Sequence, residues 1–383
     1  MRVLIIHTYY KLPGGEDSVV ENEAELLRSN GHIVDLLPFH NASKTLLKVF
    51  FLFFNPAAYQ RVIGKIKSFT PDVIHIHNFH FAASPAILYA AKRLKVPVVM
   101  TMHNFRLLCP SGSLFFNGQL FTDSLKQNFP WSAVKKGVYQ GSKAITFWLA
   151  LSNYLHRKMG TWSIVNAMIF LGEHSRTVFK QSGVTSTRTA LLIKPNFTMR
   201  KSLREPATGE YFLYVGRLTE EKGIKTLLKA FEGQHALLKI AGTGPLHHLV
   251  TETTARNSNI EYLGQLPPPE VARLMRSAKA LVFPSEWFET FGMVIIEAFS
   301  LGTPVVAANL GNVPSIVSDK VNGLLFEPSD AVSLRKAITT FDELNADEKL
   351  KLKNQALEAY EKSFSPEANL QQLVKIYSDT MSV

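Results

Sequence analysis

The chain of 383 residues is 46% hydrophobic and 19% charged, enough apolar material for about two domains of ~150 residues and incompatible with wholesale disorder. Its one cysteine, Cys109, excludes an internal disulfide and any cysteine-built zinc or iron–sulfur centre, and fits a reducing compartment. The net charge of +11 belongs to the first half: residues 1–198 carry 22 Lys+Arg against 9 Asp+Glu, whereas residues 199–383 carry 20 against 22, so the first half is expected to face a polyanion such as a membrane surface, nucleic acid or a phosphorylated substrate.

Val3-Leu4-Ile5-Ile6 is a short apolar run of the kind that forms a buried parallel strand. Arg2, Lys11 and Glu16 bracket it too closely for a leader peptide, so the fold is expected to begin there. The turn Pro13-Gly14-Gly15 leads into a helix through Val19, Val20, Ala24 and Leu27 that stops at Gly31. Strands at 34–37, 72–77 and 96–102, with a helix at 86–94 between the last two, alternate in the manner of a parallel sheet covered on both faces. The most apolar stretch, Val49 to Phe54, is far shorter than the roughly 20 residues of a spanning helix, and the uncharged run 298–318 is broken by Gly302, Pro304, Gly311 and Pro314. No transmembrane segment is expected.

The second half repeats the grammar: strand 211–215, helix 224–231, strand 236–241, the turn Gly242-Thr243-Gly244-Pro245, and strand 280–284. In that helix Ile224, Leu227, Leu228 and Phe231 fall on one face. A helix at 293–301, strands at 305–308 and 324–326, and a last helix opened by Ser365-Pro366 follow. The expected architecture is α/β, with two doubly wound Rossmann-like domains at 1–195 and 196–364, and a C-terminal helix at 365–383 that crosses back to the first.

Open parallel sheets bind ligands beyond the carboxyl ends of their strands. Those positions hold Gly14-Gly15, His77, His103-Asn104, Gly216-Arg217, Gly242-Thr243-Gly244 and the run from Ser285 to Gly292. Gly14-Gly15 reads as a tight turn, with Glu16 and Asp17 complementing the helix dipole, or as a loop that lets an anion approach the backbone. Arg217 and Lys222 flank a helix start whose dipole disfavours cations, so either Glu220 and Glu221 or a bound diphosphate should compensate them. Glu297 lies one turn inside an otherwise apolar helix, where a carboxylate needs a partner such as a sugar hydroxyl, and amides near Gly292 and Met293 suit a phosphate. His75, His77 and His80 read as structural, because no carboxylate stands at a suitable spacing to complete a metal site.

Glu289 and Glu297 are separated by seven residues and followed by Gly302-Thr-Pro-Val-Val. This pattern resembles the Glu-x7-Glu signature of retaining GT-B glycosyltransferases, specifically glycosyltransferase family four. Gly216-Arg217-Leu-Thr-Glu-Glu-Lys222-Gly223, Ala241-Gly-Thr-Gly-Pro245, Pro71-Asp-Val-Ile-His-Ile-His77 and Thr101-Met-His103-Asn104 are similar to the family's motifs and stand in its order. The resemblance implies two domains facing a central cleft and transfer of a sugar from a nucleotide diphosphate sugar, such as a UDP-sugar or GDP-sugar, to a glycan or polyprenyl-linked acceptor. It implies that Glu297 holds the ribose, Glu289 the donor sugar, and Arg217 and Lys222 the diphosphate, with His103 near the reacting carbon. Gly14, Gly15, Gly216, Gly242, Gly244, Thr290, Phe291, Gly292 and Met293 would line the donor. No metal and no other cofactor is implied, and no Asp-x-Asp pair occurs. A GT-B phosphorylase or epimerase, or a non-catalytic nucleotide- or membrane-binding subunit, is the alternative.

Two segments combine aromatic bulk with lysines in the manner of an interfacial anchor: Lys44 to Asn55, and Lys135-Lys136 through Phe147, Trp148 and Leu149 to Arg157-Lys158. They lead to the expectation of a cytoplasmic protein peripheral on the inner face of an anionic membrane, acting in cell-surface polysaccharide biosynthesis and binding no nucleic acid. The other reading of the first segment is that Phe50, Leu52 and Phe53 are core.

Overall fold

A computed structural model describes residues 1–10, 14–41, 51–200 and 209–382. The chain divides into two compact units, one made of residues 1–116, 121–195 and 369–383, the other of 117–120 and 196–368.

The first unit is built on six parallel strands: β1 (Arg2–Tyr9), β2 (Ile33–His40), β3 (Val73–Ile76), β4 (Val98–Met102), β5 (Ala167–Phe170) and β6 (Ala190–Ile193), in the order β2-β1-β3-β4-β5-β6. Val3, Leu4, Ile5 and Ile6 are fully buried, as a strand covered by helices on both faces requires. Helix α1 (Gly15–Ser29) lays Val20, Ala24 and Leu27 against this sheet. The side chain of Asn55 caps α2 (Pro56–Phe69) by accepting from the amides of Ala57 and Ala58, and Pro56 fills the first turn. Helices α3 (Ala86–Arg93), α4 (Trp131–Lys136), α5 (Lys143–Lys158) and α6 (Glu173–Ser182) complete the connections.

The second unit carries β7 (Tyr211–Val215), β8 (Leu237–Ala241), β9 (Ile260–Gly264), β10 (Leu281–Phe283), β11 (Val305–Ala308) and β12 (Gly323–Phe326), parallel and in the order β9-β8-β7-β10-β11-β12. Its helices are α7 (Ile224–Phe231), α8 (His247–Thr254), α9 (Pro268–Ser277), α10 (Met293–Ser300), α11 (Ala331–Glu343) and α12 (Ala346–Ala359). The stripe Ile224, Leu227, Leu228 and Phe231 packs with Phe212, Ile240, Val282 and Phe341.

The last helix, α13 (Pro366–Met381), is capped by Ser365, whose hydroxyl accepts from the Ala368 amide at 3.2 Å. From Asn369 onward it belongs to the first unit, where Leu373, Ile376 and Tyr377 pack with Val3, Ile5 and Val20. Among the described residues no helix is long and apolar enough to cross a membrane. Lys44 to Phe50 of the first anchor segment, and Pro13 of the glycine turn, lie outside the described residues.

Candidate active site

In the second unit the strand order reverses between β7 and β10, and at such a switch point the loops after two neighbouring strands splay apart to leave a crevice. The loop after β7 carries Gly216, Arg217 and Lys222, and the loop after β10 carries Ser285 to Gly292. Backbone and hydroxyl bonds tie the two loops together: the Glu286 amide donates to the Glu221 carbonyl at 2.9 Å and the Ser285 hydroxyl to the same oxygen at 3.2 Å. The Tyr214 hydroxyl donates to the Arg217 carbonyl at 2.8 Å, and burial pushes its phenol up so that it keeps that proton. Glu286 accepts from the Thr226 hydroxyl, which fastens the second loop to α7.

This framework brings Lys222 and Glu289 together. The Lys222 ammonium pairs with Glu289 Oε1, which also accepts from the Ser285 hydroxyl at 2.7 Å. The same ammonium lies 5.3 Å from the ring centre of Trp287 and 5.9 Å from that of Phe283, close enough for cation–π attraction. The buried Trp287 Nε1 has no hydrogen-bond partner among the described residues. Arg217 is mostly exposed, with Nη2 3.6 Å from Glu221 Oε1, while Glu220 pairs with Lys225 at 2.7 Å. Of the two loop acids only Glu221 therefore stands beside Arg217, Glu220 being taken by Lys225, whereas the partner of Lys222 is Glu289.

Glu297 is half-buried on α10 and Glu289 is buried at 5% exposure. Of these two carboxylates the more deeply buried is therefore the loop one, not the helical one that the apolar pattern singled out. Thr290, Phe291, Gly292 and Met293 form the entry to α10. Phe291 is buried, the Thr290 carbonyl accepts from the Asn312 amide group at 2.8 Å, and Gly292 caps the helix. Ser285 and Asn312, both buried supports of this loop, were not visible as site residues because isolated polar residues between apolar ones carry no spacing signal.

The glycines of the β8 turn are demanded by backbone packing. Gly242 has φ of +145°, and a Cβ there would sit 1.8 Å from the Gly216 carbonyl oxygen; one on Gly244 would sit 2.6 Å from the Leu218 oxygen. The turn is laced to the loop after β7 through Leu218 N to Thr243 O at 3.0 Å and Gly216 N to Ala241 O at 3.1 Å.

In the first unit the order reverses between β1 and β3. Gly14 caps α1 and its amide already donates to Asp17 Oδ2 at 2.8 Å, while Asp17 Oδ1 meets His7 Nε2 at 2.8 Å. Gly14 and Gly15 are exposed. Burial pushes the neighbouring Glu16 carboxyl up to about 7. His103, after β4, lies with Nε2 3.0 Å from His77 Nδ1, the rings stacked at 5.3 Å and 22°.

The histidine cluster differs from expectation. His80 is not part of it, and the carboxylate that seemed missing is Glu23 of α1, whose Oε1 lies 3.3 Å from His75 Nδ1 and 3.2 Å from His77 Nε2. Lys194 Nζ donates to its other oxygen at 2.8 Å, and both residues are 1% exposed in their side chains. His75 already bonds the Tyr377 hydroxyl at 2.7 Å and the Thr101 hydroxyl at 2.8 Å. Lys194 pairs with one oxygen of the carboxylate and both His75 nitrogens are engaged, whereas the buried Glu23 Oε1 and His77 Nε2 have no hydrogen-bond partner among the described residues.

Of the anchor segments, Leu52 is buried, Phe53 half-buried, and Phe51 and Phe54 exposed. On α4 and α5, Trp131 is 53% exposed and stacks with Phe147 at 6.2 Å, beside exposed Lys135, Lys136 and Lys158. Leu149 is buried.

Known proteins match along most of the chain. The family of glycosyl transferases group 1 matches residues 196–362, and Glycosyltransferase Family 4 matches residues 13–162. A phosphatidyl-myo-inositol mannosyltransferase of Mycobacterium leprae is 26% identical over 88% of this chain and 86% of its own length. An uncharacterized glycosyltransferase of Methanocaldococcus jannaschii is 32% identical over 44% of this chain, which spans about half (47%) of that relative's length. The crystal structure of Anabaena HepE in complex with UDP superposes with a TM-score of 0.70 at 18% identity, covering 99% of this chain and all (100%) of that one.

Proposed function

Since this chain belongs to the GT4-type glycosyltransferases of GT-B fold, we propose that it moves a sugar from a nucleotide diphosphate sugar to a glycan or lipid-linked acceptor, with retention and without a metal. The observation that carries this reading is the meeting of Lys222 and Glu289 at the switch point of the second unit. A cation there neutralises the charge that grows on a departing diphosphate. A carboxylate beside it accepts from sugar hydroxyls, and the half-buried Glu297 does the same for the ribose. The amides opening α10 receive a phosphate oxygen, and Arg217 adds a second cation at the exposed side. UDP bound by a protein of the same fold supports a nucleotide donor.

His103 and the Gly14-Gly15 turn are assigned to the donor by resemblance. The amide of Gly14 already donates to Asp17 Oδ2.

The acceptor is proposed to be membrane-borne. The excess positive charge of residues 1–198, and the aromatic face of Trp131 and Phe147 beside lysines, match an interfacial surface facing anionic lipid. A relative named for its action on a phosphatidylinositol lipid points the same way. The proposed setting is accordingly the inner face of the cytoplasmic membrane, in cell-surface polysaccharide synthesis. A thermal-shift screen with UDP, GDP and ADP and their sugars, followed by product analysis on polyprenyl-linked acceptors, tests the proposal. Stabilisation by one nucleotide and label transfer from its sugar support it; no binding and no transfer with any donor overturn it.

A further inference from the structure

Strands β1, β3 and β4 are neighbours in the first sheet, and the residues just past their carboxyl ends include Tyr10, Phe81 and Arg106. This is the end at which parallel sheets take ligands. Arg106 is held firmly there: its amide donates to Asn104 Oδ1 at 3.0 Å, and its carbonyl accepts from Asn153 Nδ2 at 2.6 Å. Its guanidinium carbon lies 5.6 Å from the ring centres of Tyr10 and Phe81 and 5.5 Å from that of Tyr139, close enough for cation–π attraction. Nη1 donates to the Tyr10 hydroxyl at 2.9 Å. Arg106 and the three rings are all half-buried, so none is sealed from solvent.

The caged cation lacks an acid. Among the described residues no carboxylate pairs with it, and its buried Nε has no hydrogen-bond partner. Glu16, whose charge it feels, accepts from Asn78 Nδ2 at 3.3 Å and is pushed up by burial to about 7, so at neutral pH this carboxyl carries only part of a charge. His80 is held neutral by burial and by Arg106 itself. A guanidinium taken partly out of water without a counter-charge is costly, and ring faces offset the cost only in part. An anion from outside would complete the arrangement.

The donor's phosphates are assigned their own cations, Arg217 and Lys222, in the second unit. The cage is tied instead to the helices of the aromatic, lysine-bearing face. Tyr139 lies in the connection between α4 and α5, Asn153 stands on α5, and the stacked Trp131 and Phe147 belong to the same two helices. A planar fork matches two phosphate oxygens. We propose that Arg106, caged by Tyr10, Phe81 and Tyr139, binds the phosphate of a lipid-linked acceptor. This rests on the reading of the acceptor as membrane-borne, and it assigns the part of that acceptor which the first unit recognises.

Farnesyl diphosphate, a short lipid diphosphate, is titrated by calorimetry into the full chain and its variants, with farnesol and inorganic pyrophosphate as controls. It should bind more tightly than either control. Arg106→Gln should raise its Kd roughly tenfold or more at an unchanged melting temperature, and Arg217→Ala should leave it unchanged. Affinity for UDP or GDP should respond the other way round, falling in Arg217→Ala and holding in Arg106→Gln. Arg106→Lys keeps the caged cation without the fork, so it should weaken farnesyl diphosphate as well, and it decides the matter if Arg106→Gln does not fold.

Wild-type affinity for farnesyl diphosphate in a folded Arg106→Gln, or in Arg106→Lys where the glutamine variant does not fold, overturns the proposal. An equal loss of nucleotide affinity in Arg106→Gln puts Arg106 on the donor and overturns it too. Pyrophosphate binding as tightly as farnesyl diphosphate identifies a free phosphate ligand and overturns the lipid-linked assignment. Arg106-dependent binding without any sugar transfer by the wild type would sink the proposed function and leave this site standing. Sugar transfer by a wild type that does not bind farnesyl diphosphate would do the reverse.

Discussion

Glu289→Gln tests the proposed role of this carboxylate in binding the sugar beside its pairing with Lys222. Gln preserves the side-chain shape and can still accept from Ser285, now 2.7 Å away, but removes the charge that faces the Lys222 ammonium and any sugar hydroxyl. A hydrogen bond to a charged group contributes about 1.5–3 kcal/mol, and ~1.4 kcal/mol is a factor of ten in rate, so turnover should fall by roughly ten- to hundredfold. Losing the ion pair should also cost about 1–2 kcal/mol of stability, because the Lys222 side chain is still 20% exposed and can regain water. At roughly 2–4 °C per kcal/mol for a domain of this size, that is a small drop in melting temperature.

Affinity for the nucleoside diphosphate should move the other way or stay constant, since Lys222 loses its internal competitor for phosphate. Steady-state transfer, titration calorimetry and thermal unfolding on the same preparation measure all three. Turnover near wild type, or diphosphate affinity falling in step with turnover, would refute the reasoning; wholesale unfolding would show Glu289 to be a structural carboxylate. Glu297→Gln should lower turnover by a similar factor with a smaller effect on stability, because Glu297 is only half-buried.

Arg217→Ala should weaken binding of nucleoside diphosphate far more than of the nucleoside, since charge-assisted phosphate bonds are lost while base and ribose contacts remain; equal losses in calorimetry would count against it. Transfer activity should be the same with and without EDTA, and loss of activity that added metal restores would contradict a charge-stabilising role for Arg217 and Lys222. The protein should float with anionic vesicles at low salt and detach at high salt, and Trp131→Ser with Phe54→Ser, both exposed aromatics, should weaken flotation at an unchanged melting temperature. Failure of the wild type to float at any salt would favour a soluble acceptor. Acid should destabilise the first unit: His77 is lowered from 6.5 to about 3, so the native state binds fewer protons than the unfolded one across that window and stability falls as pH drops below 6.5. Urea midpoints measured from neutral pH downward should decrease, and less steeply in His77→Asn; a flat profile in the wild type would contradict the buried neutral assignment.

The elements legible in the sequence were those whose apolar residues obey one period. Tyr211–Val215, Ile224–Phe231 and Val305–Ala308 form the expected elements with the expected bounds. β5, β6 and β9 were missed: β6 (Ala-Leu-Leu-Ile) is only half-buried at the sheet edge, β5 is four residues long, and β9 (Ile-Glu-Tyr-Leu-Gly) shows one buried position. At the site, motif spacing placed Lys222 and Glu289 in neighbouring loops but not in contact, because that contact is made by tertiary ties through Ser285 and Glu221. Glu23 stands in the run Glu21-Asn22-Glu23-Ala24-Glu25, which looks solvated. Its i+3 offset from Val20 and i+4 offset to Leu27 put it on the apolar stripe, and that was the signal available. Its partner Lys194 follows β6, a strand the pattern did not show.

The central claim is nucleotide-sugar-dependent transfer with retention at the second unit's switch point. Its most direct test is the anomeric configuration of the product, read by NMR after incubation of the full chain with α-linked UDP- and GDP-sugars and a polyprenyl-linked acceptor. The account predicts an α-linked product from one of these donors, formed without added metal and lost on Glu289→Gln. A β-linked product, or transfer that survives the loss of both Lys222 and Glu289, would contradict it.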